Sequence, residues 1–354
     1  MKHFRYQVVS FCAMLALAGC GGSSTSTPPP PTIGQIYVTT ANKDEVSRFK
    51  AGDNGNVSPQ GQFRVQFNIP TFIAMDVPHD RIAIKSNDVN TPAITLIDNA
   101  SSIRTNLGPL TAPRIITGPA TTLGTKMGLC ALDSTRDLLY VTQDLGAGTG
   151  VVLVFGPAST INGDVAPLRT FTLPFHPFGL VVEVPSGLVL DVANDSLFLS
   201  DPVTNAITIF DKASTLTGSV VPSRTIAGTN TQLNVPSQMV LDSSGRLIVS
   251  INSGSINSQS FGILVFQNAA TANGNIVPSA SSTISQPPTE MAISPAGELY
   301  VVDGSPHITV YGGVATATGV INPIRVIAGP NTGLDPFFGN IPALPLGIAV
   351  DPTR

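Results

Sequence analysis

Few residues in this chain of 354 are of types that do chemistry. It has four histidines, three cysteines and no tryptophan. Past the N-terminal segment the histidines are His79, His176 and His307, and none pairs at the His-x-x-x-His spacing that sets two imidazoles on one metal. No Gly-x-Ser-x-Gly elbow presents a serine nucleophile, and no P-loop or dinucleotide fingerprint cradles a phosphate. Cys130 stands in an apolar run, Leu129 to Leu132, and reads as a buried, inert thiol. Asp76, Asp133, Asp191, Asp242 and Asp351 recur at one place in a repeat, mostly before a short turn, where Asp bonds its own backbone. Arg64, Arg114, Arg169, Arg224 and Arg325 recur likewise, each near the start of an outer strand. Equivalent positions around a ring do not make one active site; ion pairs between units or solvated charges on sheet edges are expected.

Residues that break the repeat are more informative. The third residue of a recurring Pro-x-x motif is Phe72, Leu129, Gly187, Gln238, Glu290 and Gly347 in turn. Gln238 and Glu290 are polar, fall in adjacent units, and are the candidate binding residues at the mouth of a central pore. Glu290 could serve as a cation ligand or as a hydrogen-bonded channel residue. A hard cation wants several oxygen ligands, so one Glu does not make a metal site, and no metal or other cofactor is expected. The longest departure from the repeat, Leu173 to Val184, holds Phe175, His176 and Phe178, the candidate contact surface.

The elements that position these residues follow from the repeat itself. Gly-x-Val/Ile-x-Pro recurs at Gly55/Pro59, Gly163/Pro167, Gly218/Pro222, Gly274/Pro278 and Gly319/Pro323, with a degenerate copy near Gly108/Pro113. That makes six units of about 53 residues. Each holds four short apolar, β-branched segments separated by Gly, Pro, Asn, Asp and Ser, the signature of all-β structure with tight turns. Four strands in each of six units predict an all-β, six-bladed β-propeller with four-stranded antiparallel blades. The series opens on a second strand (Ile36–Thr39) and ends on a first (Gly347–Asp351). Pairing of these N- and C-terminal strands is expected to close the ring and hide its edges.

The run Asp201 to Phe210 (DPVTNAITIF) followed by Pro236 to Asp242 (PSQMVLD) resembles the NHL-repeat and gluconolactonase-like six-bladed propellers. The resemblance spans nearly the whole body and implies the same fold. It also implies a divalent-cation site made of a Glu and two Asn or Asp residues from inner-strand loops. Here the corresponding middle residues are Thr71, Ser186, Ser237, Thr289 and Leu346.

Composition narrows the function. Charged residues are 11% of the chain against a usual 25% or so, with 33 Gly and 30 Pro. That excludes coiled coils, and without a basic excess no nucleic-acid partner is expected. At the N-terminus, Lys2 and Arg5 precede an apolar run from Val8 to Gly19, too short to span a bilayer and suited to secretion. Leu17-Ala18-Gly19-Cys20 resembles the lipobox of bacterial lipoproteins. It implies a signal peptide over 1–19, lipidation of Cys20 and a Ser/Thr/Pro-rich tether over 20–33 that holds the propeller, 34–354, off the membrane. Cleavage removes two of the 18 basic residues and none of the 22 acidic ones, leaving a net charge of −6. Gly21 in place of Asp points to the outer membrane, with the body facing the periplasm or the cell surface. The expected function is a monomeric, non-enzymatic binding or scaffolding module, with a protein or small molecule at the propeller face. The alternative is a metal-dependent hydrolase of the lactonase type at the pore mouth.

Overall fold

The computed structural model describes residues 34–354, apart from 42, 66–68, 87, 89, 105, 111–112, 146–149, 174–186, 253–260 and 335–343. Among the described residues the β-branched runs form six antiparallel blades in a ring. From axis to rim, blade one is Leu344–Asp351, Gln35–Ala41, Glu45–Lys50 and Gly61–Arg64. Blade two is Pro70–Asp76, Arg81–Ser86, Ala93–Asp98 and Arg114–Ile116. Blade three is Met127–Asp133, Leu138–Asp144, Gly150–Phe155 and Arg169–Leu173. Blade four is Leu188–Asp191, Ser196–Asp201, Ala206–Asp211 and Arg224–Ile226. Blade five is Pro236–Leu241, Leu247–Asn252, Phe261–Phe266 and Ala280–Ile284. Blade six is Glu290–Ile293, Leu299–Val302, His307–Tyr311 and Arg325–Ala328.

The ring closes as expected: Gln35 to Ala41 pairs antiparallel with Asp351 to Leu344, so both ends of the body build one blade. Each blade buries both faces, which is why its strands read as continuous apolar runs. The core is accordingly six clusters, one in each seam. Ile36 and Phe49 of blade one meet Tyr300 and Ile308 of blade six. Tyr140 and Phe171 of blade three meet Leu197 and Phe210 of blade four. Tyr37, Tyr140 and Tyr300 are fully buried.

The Gly-x-Val/Ile-x-Pro landmark fastens each blade to the outer strand of the blade before it. Gly55 bridges in parallel to Ile327, Gly163 to Ile116 and Gly274 to Ile226. Gly218 pairs with Phe171 and Gly319 with Ser282. The degenerate copy contributes Asn106–Pro109, beside Phe63. An outer edge that would invite foreign strands is thereby covered. These five glycines have φ between 67° and 83° with open space where a Cβ would stand. Their backbone conformation, and not crowding, demands glycine.

The clasps alternate. Blades one, three and five receive a short fifth strand, whereas two, four and six receive a single bridge. The single bridges come from Asn54-Gly55, Asn162-Gly163 and Asn273-Gly274, whose Asn side chains accept the backbone N–H of Val326, Ile115 and Thr225. The blades that receive them share Arg-x-Ile-Thr/Ala-Gly, starting at Arg114, Arg224 and Arg325. The sixfold ring is thus a threefold ring of blade pairs.

Candidate functional site

Among the described residues the Pro-x-x motif lies on or just before the innermost strands, around the axis. Register shifts fall there in blades one, two, three and five. A β-bulge re-aims side chains and frees backbone groups from the ladder. In blades one, three, four and five a hydroxyl on the adjacent second strand accepts an inner-strand N–H. Thr39 Oγ1 accepts from Gly347 at 2.8 Å, Thr142 from Leu129 at 2.9 Å, Ser200 from Gly187 at 2.5 Å and Ser250 from Gln238 at 2.9 Å. Two of these hydroxyls also donate across a seam, Thr39 to Thr71 O at 3.3 Å and Ser200 to Ser237 O at 2.8 Å. All four are buried. Sequence reasoning missed this ring, although its signal is visible: a Ser or Thr follows the apolar triplet of the second strand at Thr39, Thr142, Ser200 and Ser250.

Blades two and six break the hydroxyl pattern with Lys85, which pairs with Phe72, and Val302, which pairs with Glu290. Lys85 is buried, its Nζ 5.0 Å from the centre of the Phe72 ring. Glu290 Oε2 accepts the N–H of Ile348 in blade one at 2.6 Å, and the N–H of Ile73 in blade two also bonds the carboxylate. Thr289 Oγ1 donates to Leu346 O at 3.2 Å. Glu290 therefore ties three consecutive inner strands together. Gln238 is buried in blade five, within an inner strand. Phe72, Leu129 and Gly347 are buried around the same axis. Phe175, His176 and Phe178 lie outside the described residues, as does Cys20.

Burial pushes the Glu290 carboxyl well above its ordinary value of 4.5, and the Ile348 and Ile73 N–H groups and the Lys85 charge pull it part of the way back. Between the two values the native state holds a proton that the unfolded chain has released. The stability this carboxyl contributes is complete below 4.5 and is lost as pH rises through the folded value. Glu290→Gln is expected to remove that loss, about 1.4 kcal/mol for each unit of separation. Thermal melts should then show a gap between variant and wild type that opens in the variant's favour as pH rises from 4.5 through the raised folded value. A gap of constant size would mean the carboxyl titrates as in water.

The remaining candidates serve local structure. Burial, with the Glu290 charge second, pushes the Cys130 thiol up to about 12, far from a reactive thiolate. The repeated aspartates accept backbone N–H groups of their own turns, as in Thr135 and Arg136 to Asp133 and Ser244 to Asp242. His79 bonds Asp76 at 2.9 Å, and His307 faces Asp303 at 3.4 Å. Arg114 and Arg224 pair with Asp98 and Asp211 of their own blades at 2.7 Å. Their reach across the seam is to carbonyls instead of acids: Arg224 Nη1 donates to Ala269 O at 2.9 Å and Ala272 O at 3.1 Å. Among the described residues no three His, Cys, Asp or Glu side chains are grouped as a metal would need.

No family model and no curated relative matches the sequence. Solved structures match at the level of the fold. A functionally unknown protein from Desulfotomaculum acetoxidans superposes with a TM-score of 0.51 at 13% identity, covering 84% of this chain and 80% of that one. A chain of a nidogen/laminin complex gives 0.51 at 12% identity, covering 91% and 99%. A putative 6-phosphogluconolactonase from Bacteroides fragilis gives 0.50 at 11% identity, covering 90% and 98%. What this chain shares with all three is the β-propeller fold.

Proposed function

We propose that the protein is a non-enzymatic binding or scaffolding module of the bacterial envelope, held at the outer membrane by a lipid on Cys20. The observation that carries the non-enzymatic part is the engagement of Glu290. The carboxylate best placed for chemistry on the axis accepts backbone N–H groups from two neighbouring blades. A cation there would compete with these donors for the carboxylate, and each one left unpaired inside the ring costs about 1–3 kcal/mol. The hydroxyls around the axis are likewise engaged with backbone groups. The propeller faces, built of turns and loops, remain as the surface for a protein or small-molecule ligand.

Support for anchoring comes from Leu17-Ala18-Gly19-Cys20 and the Ser/Thr/Pro-rich stretch that follows. Palmitate labelling in a bacterial host is expected to mark the full chain and send it to the membrane fraction, and Cys20→Ser to abolish the label. Unlabelled wild-type chain would overturn the anchor. Metal analysis of the purified body tests the other half: no cation should depend on Glu290. One equivalent of calcium or zinc, lost together with lactone hydrolysis in Glu290→Ala, would favour the hydrolase instead.

A further inference from the structure

We infer that the seam between blades three and four holds a receptor for a small carboxylate, made by the Arg169 guanidinium and the Tyr140 phenol. The inference goes beyond the binding role proposed above. It rests on comparing four equivalent rows across the blades. Ala83, Leu96 and Arg114 stand opposite one another on successive strands of blade two. Tyr140, Val154 and Arg169 do so in blade three. Phe198, Ile209 and Arg224 do so in blade four, and Tyr300, Val310 and Arg325 in blade six.

In three of these blades the guanidinium grips an acid. Arg114 bonds Asp98 through Nε at 3.2 Å and Nη2 at 2.7 Å. Arg224 bonds Asp211 through Nε at 3.3 Å and Nη2 at 2.7 Å. Both aspartates lie two residues beyond the middle of the row. In blade six that place is Gly312, and the acid comes instead from the residue just ahead of the second strand. Glu298 takes Arg325 Nη1 and Nη2 at 2.8 Å each and the Tyr300 hydroxyl at 2.7 Å.

Blade three has neither acid. Gly156 stands where Asp98 and Asp211 stand, and Leu138 stands where Glu298 stands. Arg169 Nε and Nη2, the nitrogens that hold the aspartate in blades two and four, are buried with no hydrogen-bond partner, and so is the Tyr140 hydroxyl. The guanidinium charge acts on that phenol. Tyr140 itself is fully buried. The two acids whose charges also reach it are already engaged: Asp133 with Arg136 at 3.0 Å and Asp195 with the Ser214 hydroxyl at 2.7 Å. Buried donors without an acceptor are costly; a carboxylate takes Nη2 and the phenol in the manner of Glu298, and Nε and Nη2 in the manner of Asp98 and Asp211. The ligand must be small, because the Leu138 and Leu168 side chains already crowd Gly156, at 2.8 and 3.1 Å from where its Cβ would be. Leu168 is exposed at the rim.

The test uses formate as the probe on the intact body, melted in sodium formate and in sodium chloride at equal ionic strength. At a formate concentration about ten times its dissociation constant the wild-type melting temperature should rise by about 2 °C over chloride. Arg169→Gln should show no difference between the salts. Leu138→Glu, which supplies the acid found in blade six, should melt identically in both, and its fold is checked by circular dichroism. A tyrosine difference spectrum on formate addition, absent in Tyr140→Phe, reads the site locally. The inference is overturned if wild type does not distinguish formate from chloride, or if Arg169→Gln keeps the full formate shift.

Discussion

Removing residues 345–354 is expected to abolish the cooperative unfolding transition of the entire body. The deleted segment is nearly the whole inner strand of blade one, paired along its length with Gln35–Ala41. It also contributes Ile348 and Val350 to the seam with blade six and Ala349 to the seam with blade two. Its loss exposes the edge of Gln35–Ala41, opens two of the six seams and frees the Glu290 carboxylate from the Ile348 N–H. A propeller is stabilised by contacts between neighbours, so a gap in the ring leaves two blades with one bare face each. Calorimetry should find no native-like transition in the truncated chain. A truncated body that melts within a few degrees of wild type would show that the blades do not depend on closure.

Gly347→Val should be among the most damaging single substitutions. A Cβ at this position would stand 2.6 Å from Thr39 Oγ1, 2.8 Å from Thr71 O and 2.9 Å from Glu290 Oε2. One of these is backbone and the others are held by hydrogen bonds, so none can yield cheaply. Overpacking of this kind costs about 3 kcal/mol. Here it also pushes apart the groups that tie blades six, one and two. Urea denaturation should show the loss as a lower midpoint with an unchanged slope. Wild-type stability would mean that the inner strands can slide apart at the axis.

The architecture was largely legible in the sequence because each of its causes is local. Turn residues, Gly-x-Val/Ile-x-Pro and the strand triplets recur in phase, and the first and last segments complete one another. Three features were less visible. The threefold pairing of blades depends on whether Asn or Thr precedes the clasp glycine, as at Asn162 and Thr217, a one-residue difference within an otherwise sixfold pattern. The axis was harder still. Gln238 and Glu290 announced themselves as polar residues on adjacent blades. What Glu290 bonds to depends on backbone N–H groups of Ile73 and Ile348, about 217 and 58 residues away, which no periodicity reveals. Arg169 looked like one more member of an arginine series. Only the register shows that Gly156 and Leu138 leave it without an acid.

Hydrogen exchange along the strand Leu344–Asp351 is the most direct test of the closed ring. Its amides paired to Gln35–Ala41 should exchange only through global unfolding, at the same free energy as those of Leu247–Asn252 in the middle of blade five. Exchange of the C-terminal strand through a separate, lower-energy opening, with blade five still protected, would contradict closure by the two ends of the body.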